Sequence, residues 1–191
     1  MVQGHLNGEL TPLGEEQAEL VAERLKTVPI DLILSSDLKR AHNTALTIAK
    51  EHPHPVVTLT DLRERSWGVF DGKPLDDYYK ALKESGVDHH DFVPDKGEGL
   101  HHLKLRAARF ISDWSERMSG KTTLIVAHHS MNKMLMSCLL NRDLAEWYSF
   151  EQTNTCVNVL EGSAISNLSG TLINCSKHLE QLPQLNSARP S

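Results

Sequence analysis

The segment Lys-Thr-Thr-Leu-Ile-Val-Ala-His-His-Ser, residues 121–130, decides the fold. Residues 122–127 are β-branched or apolar at nearly every position, which predicts a strand that is buried on both faces. A helical segment, residues 131–140, follows this strand. Ligands of open α/β sheets bind beyond the carboxyl ends of the strands, so His128 lies where a functional group is expected. A histidine that only ends a strand is an equally good interpretation of this stretch alone.

Strands and helices alternate on both sides of this segment. Residues 30–34 and 56–59 are short apolar strands, and residues 155–160 and 171–173 are expected to be later strands. The strongest helical stripe runs from Leu100 to Met118. The alternation predicts an α/β fold with three αβα layers and a mostly parallel central sheet.

Two sequence patterns predict where the first helices begin. Thr11 is a candidate N-cap, because Pro12 follows it at the first helical position. Residues 35–37, Ser-Ser-Asp, form a candidate cap for the next helix. The chain is expected to form one domain over residues 1–179, followed by a flexible tail over residues 180–191, which is rich in Pro, Asn and Ser.

The composition excludes several classes of function. The chain has 191 residues and a net charge of −5, so no basic field indicates a nucleic-acid partner. No apolar run has the length of a membrane span, and the first residues do not resemble a signal peptide. The three cysteines form no disulfide framework. Reduced thiols and a cytoplasmic location are therefore expected.

The histidine content raises the alternative of a zinc site. There are eleven histidines, with adjacent pairs at 89–90, 101–102 and 128–129. However, neither His-Glu-x-x-His nor Cys-x-x-Cys spacing occurs. Most of the histidines lie in polar segments, so solvated surface side chains are the better interpretation.

Two charged residues are candidates for chemistry. Arg40 is predicted in the first turn of a helix that follows a strand, where free backbone N–H groups and a guanidinium both suit a phosphate. Glu64 lies between two arginines and close to Trp67 and Phe70. A carboxyl group in such surroundings can be a general acid or base. An exposed arginine and a surface glutamate remain the structural alternatives.

The order of these segments resembles the histidine phosphatase superfamily, also called the phosphoglycerate-mutase-like family. The resemblance spans residues 2–179. The matching pieces, in chain order, are Val2-Gln3-Gly4-His5, Leu10-Thr11-Pro12-Leu13-Gly14, Ser35-Ser36-Asp37-Leu38-Lys39-Arg40-Ala41 with Thr44-Ala45, Leu62-Arg63-Glu64 through Gly72, Gly97-Glu98, Val126-Ala127-His128, Asn154-Thr155 and His178-Leu179.

The resemblance implies a phosphatase-type phosphoryl transfer on small phosphorylated metabolites. It implies that Arg40 holds the phosphate and that Glu64 protonates the leaving oxygen. It further implies that His128 contacts the phosphate and that the backbone near Gln3 and Gly4 frames the pocket. His129 replaces a usual glycine, which either crowds the pocket or adds a donor. No metal or other cofactor is implied, because positive donors and a proton are sufficient for this chemistry.

Two further features bear on the branch of the family. The segment between Glu64 and His128 is compact, which favours the phosphatase branch over the cofactor-dependent mutases. Residues 62–73 are locally similar to fructose-2,6-bisphosphatases of the TIGAR type. Residues 74–99 give no argument for a particular substrate.

The family's nucleophile is a histidine in an Arg-His-Gly motif that ends its first strand, and residues 1–191 contain no such motif. The chain is therefore expected to lack this strand, and the strand over residues 122–127 is expected to border the gap. One interpretation is a truncated enzyme. The alternative is a pseudoenzyme or a regulatory protein that binds a phosphorylated ligand without turnover. A metal-dependent hydrolase is a third alternative.

Overall fold

Three parallel strands form the centre of the molecule. The computed structural model describes residues 1–180 and residue 182. The strands are β1 (Leu32–Ser36), β2 (Val56–Leu59) and β3 (Thr123–Val126), in the spatial order β2-β1-β3. Two further strands, β4 (Val157–Gly162) and β5 (Leu168–Cys175), form a separate antiparallel pair. The predicted parallel sheet is confirmed, and the later strands begin and end a few residues from their predicted bounds.

Helices cover both faces of the sheet. They are α1 (Pro12–Leu25), α2 (Lys39–Ala49), α3 (Leu75–Ser85), α4 (Leu100–Met118) and α5 (His129–Leu139). Side chains of successive strand residues point to opposite faces. Accordingly, Leu34 packs in one core with Leu103 and Met131, whereas Ile33 packs in another with Ala45. The three αβα layers are therefore confirmed.

The two predicted helix starts have different outcomes. Thr11 is the N-cap of α1, and its Oγ1 accepts a hydrogen bond of 3.1 Å from the backbone N–H of Gly14. The cap predicted at residues 35–37 is wrong. Ser35 and Ser36 belong to β1, where they complete the ladder to β2, and the N-cap of α2 is Leu38.

The strand β3 is less enclosed than predicted. All four of its residues are only half-buried, although they are β-branched or apolar. One edge of β3 pairs with β1, and within the part of the chain that the structure describes no strand pairs with the other edge. Val126 of β3 and Val157 of β4 pack against the same apolar cluster, which includes Val21 of α1 and Ile48 of α2. The side-chain oxygen of Thr123 is buried and has no hydrogen-bond partner among the residues that the structure describes.

The histidine pairs do not behave alike. His101 and His102 are exposed, as predicted, and lie on α4. His89 is an exception to the prediction of solvated side chains, because its ring is half-buried and stacks on Tyr148 at a centroid distance of 5.5 Å. Burial lowers the pKa of His89, and the nearby charge of Arg65 lowers it further.

The predicted tail lies outside the described residues, apart from Glu180 and Leu182. Leu182 is buried, and its backbone N–H donates to the carbonyl oxygen of Leu179. Among the residues that the structure describes, no helix combines the length and the apolar character that crossing a membrane requires.

Candidate active site

The carboxyl ends of the three parallel strands meet at one edge of the sheet. Arg40 is the second residue of α2, which follows β1, and Glu64 lies in the loop after β2. His128 follows β3 and is the N-cap of α5. Glu64 is hydrogen-bonded to Ser130, two residues after His128. Arg40 is hydrogen-bonded to Gly4, whose neighbour His5 contacts the carbonyl oxygen of Glu64. Residues that are far apart in sequence therefore form one cluster.

The carboxylate of Glu64 lies at the N-terminus of α5. Its Oε1 accepts hydrogen bonds from the backbone N–H groups of Ser130 at 3.1 Å and Met131 at 3.3 Å, and its Oε2 accepts from Ser130 at 3.2 Å. The N–H of Arg65 also donates to Oε1, at 2.7 Å. The first N–H groups of a helix have no partner within the helix, and the helix dipole there favours negative charge. Glu64 is therefore buried without being isolated.

His128 is a buried and neutral imidazole. The residue is 7% exposed, and its Nε2 atom has no hydrogen-bond partner within the described part of the chain. Burial, reinforced by the positive charges of Arg40, His5 and Arg106, lowers the pKa of His128 to about 3. A neutral ring at physiological pH can donate or accept at Nε2, according to its tautomer. The hydrogen-bonding capacity of this ring nitrogen is therefore unused among the described residues.

Arg40 is half-buried and contacts the N-terminal segment. Its Nη1 donates to the carbonyl oxygen of Leu6 at 2.8 Å, and its Nη2 donates to that of Gly4 at 2.9 Å. Burial lowers the pKa of Arg40, while the carboxylates of Glu64 and Asp71 oppose this change. An arginine nevertheless keeps its charge in proteins. The two bonds use two of the five N–H donors of the guanidinium, so the group can also bind an anion.

The N-terminal segment packs tightly against the loop that carries Glu64. Gly4 has a φ of +49°, and a Cβ atom at this position would lie 1.8 Å from Oδ1 of Asp71. His5 contacts the carbonyl oxygen of Glu64 through Nε2, at 2.8 Å. Gln3 is exposed, and its backbone carbonyl accepts from Leu6. The segment thus supplies Gly4 and its carbonyl to the cluster, whereas the side chain of Gln3 makes no hydrogen bond among the described residues.

His129 lies at the first position of α5 and is exposed. Its Nδ1 atom contacts the carbonyl oxygen of Gln152 at 3.1 Å. This contact directs one ring nitrogen toward the segment before β4. The structure places His129 beside the cluster, at its solvent side.

Arg106 and Glu98 are two neighbours of the cluster that were not predicted from the sequence as functional. Arg106 lies on α4 beside the buried residues Leu103 and Ala107, and Glu98 lies just before this helix. They form an ion pair of 2.6 Å. The sequence feature that could have indicated Arg106 is its position at the margin of an otherwise apolar helical stripe. The signal for Glu98 is its place in the Gly97-Glu98 piece of the family resemblance.

The arrangement suits a phosphate group. A guanidinium and a neutral ring nitrogen lie at the same sheet edge, and each can donate to phosphate oxygens. A carboxyl group lies beside them and can exchange a proton. Among the residues that the structure describes, no group of three or more His, Cys, Asp or Glu side chains has the geometry to hold a metal ion.

Comparisons with known proteins agree with this geometry. The family model described as histidine phosphatase superfamily (branch 1) matches residues 1–167. The chain is 27% identical over 165 residues to the adenosylcobalamin/alpha-ribazole phosphatase of Escherichia coli (strain K12), which covers 84% of this chain and 81% of that protein. It is 28% identical over 162 residues to phosphoserine phosphatase 1 of Hydrogenobacter thermophilus, which covers 83% of this chain and 77% of that protein.

A solved structure shows the same fold. Phosphoserine phosphatase from Entamoeba histolytica, in complex with 3-phosphoglyceric acid, superposes with a TM-score of 0.79 at 27% identity. The superposition covers 93% of this chain and 90% of that one. These matches extend over most of both partners, and the family model spans the elements that carry Arg40, Glu64 and His128. The chain belongs to the histidine phosphatase superfamily, branch 1, whose matched members include phosphatases of small phosphorylated substrates.

Proposed function

We propose that this chain binds small phosphomonoesters in the cluster of Arg40, Glu64 and His128, as the phosphate pocket of a phosphatase-type phosphoryl transfer. The observation that carries the proposal is the convergence of these three residues at the carboxyl edge of the parallel sheet, where hydrogen bonds join the segments that carry them. A phosphate needs positive or neutral donors around its oxygens, and the leaving oxygen needs a proton.

Each residue has a distinct role in the proposal. Arg40 binds the phosphate oxygens through the donors that its bonds to Gly4 and Leu6 leave unused. His128 offers Nε2, which is buried and has no partner among residues 1–180 and 182. Glu64 exchanges the proton of the leaving oxygen. Gly4 lets the backbone pass close to Asp71, and His129 contributes a further donor at the entrance.

Hydrolysis of a bound phosphomonoester by this mechanism requires a nucleophile. Members of this family use a histidine in an Arg-His-Gly motif, and residues 1–191 do not contain it. We therefore expect residues 1–191 to bind a phosphorylated ligand without hydrolysing it. The second candidate function is regulatory binding of such a ligand, and the missing motif is the observation that favours it.

The substrate class is proposed from the relatives. Two of them are named for phosphoserine and alpha-ribazole phosphate hydrolysis, and a related structure holds 3-phosphoglyceric acid. A small phosphomonoester that carries a second polar group is therefore the proposed ligand. The local similarity of residues 62–73 to fructose-2,6-bisphosphatases makes sugar phosphates a second group to screen.

Isothermal titration calorimetry with inorganic phosphate, together with an assay of p-nitrophenyl phosphate hydrolysis, tests the proposal. We expect saturable phosphate binding, a loss of at least tenfold in affinity in Arg40→Ala, and no hydrolysis. Arg109→Ala is the matched control, because Arg109 is exposed and binds only Asp61 among the described residues. Absence of binding by the unmodified chain would refute the pocket. Hydrolysis by the unmodified chain would refute the binding-only function.

A further inference from the structure

Arg106 makes an unusually complete set of contacts around the loop that carries Glu64. Its Nη1 donates to the carbonyl oxygens of Asp61 at 2.8 Å and Arg63 at 2.7 Å. Its Nη2 donates to the carbonyl oxygen of Glu64 at 3.1 Å. Its remaining two bonds go to the carboxylate of Glu98, from Nε at 2.8 Å and from Nη2 at 2.6 Å. Each of the five N–H donors of this guanidinium therefore has an acceptor.

Glu98 extends the same network to the other side of Glu64. Its carboxylate accepts from the backbone N–H of Ser66 at 3.3 Å, and its own N–H donates to the carbonyl oxygen of Ser66 at 2.8 Å. The carbonyl oxygen of Glu98 accepts from Nε of Arg65 at 2.7 Å. The backbone is thus held before Glu64 by Arg106 and after it by Glu98.

The Arg106–Glu98 pair is partly withdrawn from water. The side chains are 14% and 16% exposed, in contrast to Arg109, one turn further along α4, whose side chain is 62% exposed. A paired guanidinium and carboxylate in such surroundings make stronger hydrogen bonds than neutral groups do. The positive charge of Arg106 also acts on His128. All N–H donors of Arg106 are bound to protein acceptors, so none remains for a ligand of Glu64 or His128.

We propose that Arg106 is a positioning residue, which holds the backbone of residues 61–66 so that the carboxylate of Glu64 stays against the N-terminus of α5. The proposal rests on the proposed function of Glu64. The planar fork of the guanidinium is essential to this role, because three carbonyl oxygens and a carboxylate must be bound in fixed directions. A lysine has a single ammonium group with three donors and cannot reproduce the pattern.

The test compares Arg106→Lys and Arg106→Met with Arg109→Lys and Arg109→Met as matched controls on the same helix. Amide hydrogen exchange is measured for Ser130 and Met131, whose N–H groups donate to Glu64, and for Ile33 in the core strand β1. We expect both Arg106 variants to exchange at least tenfold faster at Ser130 and Met131 relative to Ile33. Both Arg109 variants should match the unmodified chain.

A second measurement separates position from charge. The pKa of His128 is followed by NMR of its ring. It should rise in Arg106→Met, which removes a positive charge, and rise less in Arg106→Lys, which keeps the charge. If Arg106→Met fails to fold, the lysine variant alone decides the exchange experiment.

Two outcomes would overturn the proposal. One is unchanged exchange at Ser130 and Met131 in Arg106→Lys. The other is an equal increase at Ile33, because that would indicate a general loss of stability. Neither measurement requires a ligand or turnover. A failure of phosphate binding would therefore refute the proposed function without deciding the role of Arg106, which the exchange experiment tests separately.

Discussion

The backbone N–H of Ser130 donates to both carboxylate oxygens of Glu64, at 3.1 and 3.2 Å. The two residues are 66 positions apart in the sequence, and the contact joins the loop after β2 to the helix after β3. It satisfies an N–H group at the start of α5 that has no partner within the helix. The same contact fixes the carboxyl group beside His128.

Replacement of Glu64 by glutamine should destabilise the fold. The variant keeps the size of the side chain but removes its charge, which leaves the N-terminus of α5 with a weaker acceptor. Hydrogen bonds to charged groups contribute about 1.5–3 kcal/mol. We expect the free energy of unfolding in urea to fall by about 1–3 kcal/mol. Glu116→Gln on the exposed side of α4 is the control, and a Glu64→Gln variant as stable as this control would contradict the contact's importance.

His128 should make stability depend on pH. Its folded-state pKa is lowered from 6.5 to about 3, so the unfolded chain binds a proton in this range that the folded chain does not. Stability is therefore complete above pH 6.5 and decreases as the pH falls toward 3. Between pH 7 and pH 5 the contribution is about 2 kcal/mol. Urea unfolding of His128→Asn should lack this part of the pH dependence. Identical profiles of unfolding free energy against pH for His128→Asn and the unmodified chain would refute the contribution of His128.

The tight approach of Gly4 to Asp71 should make this glycine sensitive to substitution. Gly4→Ala places a Cβ at a positive φ and against Oδ1 of Asp71. A left-handed conformation costs a residue with a Cβ about 1–2 kcal/mol. We expect a loss of that size in the free energy of unfolding, together with weaker phosphate binding, because the carbonyl of Gly4 is a partner of Arg40.

Gly8→Ala is the matched control for this prediction. Gly8 lies in the same N-terminal segment, and a Cβ at this position has no atom within 4 Å. Its substitution should change the free energy of unfolding by less than about 0.5 kcal/mol. Equal effects of the two substitutions would show that the approach to Asp71 does not matter.

The sequence was sufficient to predict the layers of the fold, because the apolar periods of α4 and β3 are strong local signals. The cap at residues 35–37 was misassigned because serine suits both a helix cap and the end of a strand. Here the ladder between Ser36 and Leu59 continues the strand. Such a pairing is a long-range contact, which a local pattern does not contain.

The candidate site was only partly predictable for a similar reason. Arg40, Glu64 and His128 could be named because each follows a predicted strand or belongs to a motif. The role of Arg106 depends on three backbone carbonyl oxygens of another segment. Every residue has such an oxygen, so the amino-acid sequence does not indicate which of them an arginine will bind. The half-buried state of β3 likewise depends on which strands lie at its edges.

The pocket itself is examined most directly by an NMR titration of the unmodified chain with inorganic phosphate, observed at the ring of His128 and the amide of Ser130. Phosphate at Arg40 should shift both signals in a saturable way, and Arg40→Ala should abolish the shifts while the spectrum stays that of a folded protein. Signals of His128 and Ser130 that remain unmoved at saturating phosphate would contradict a phosphate pocket at this sheet edge.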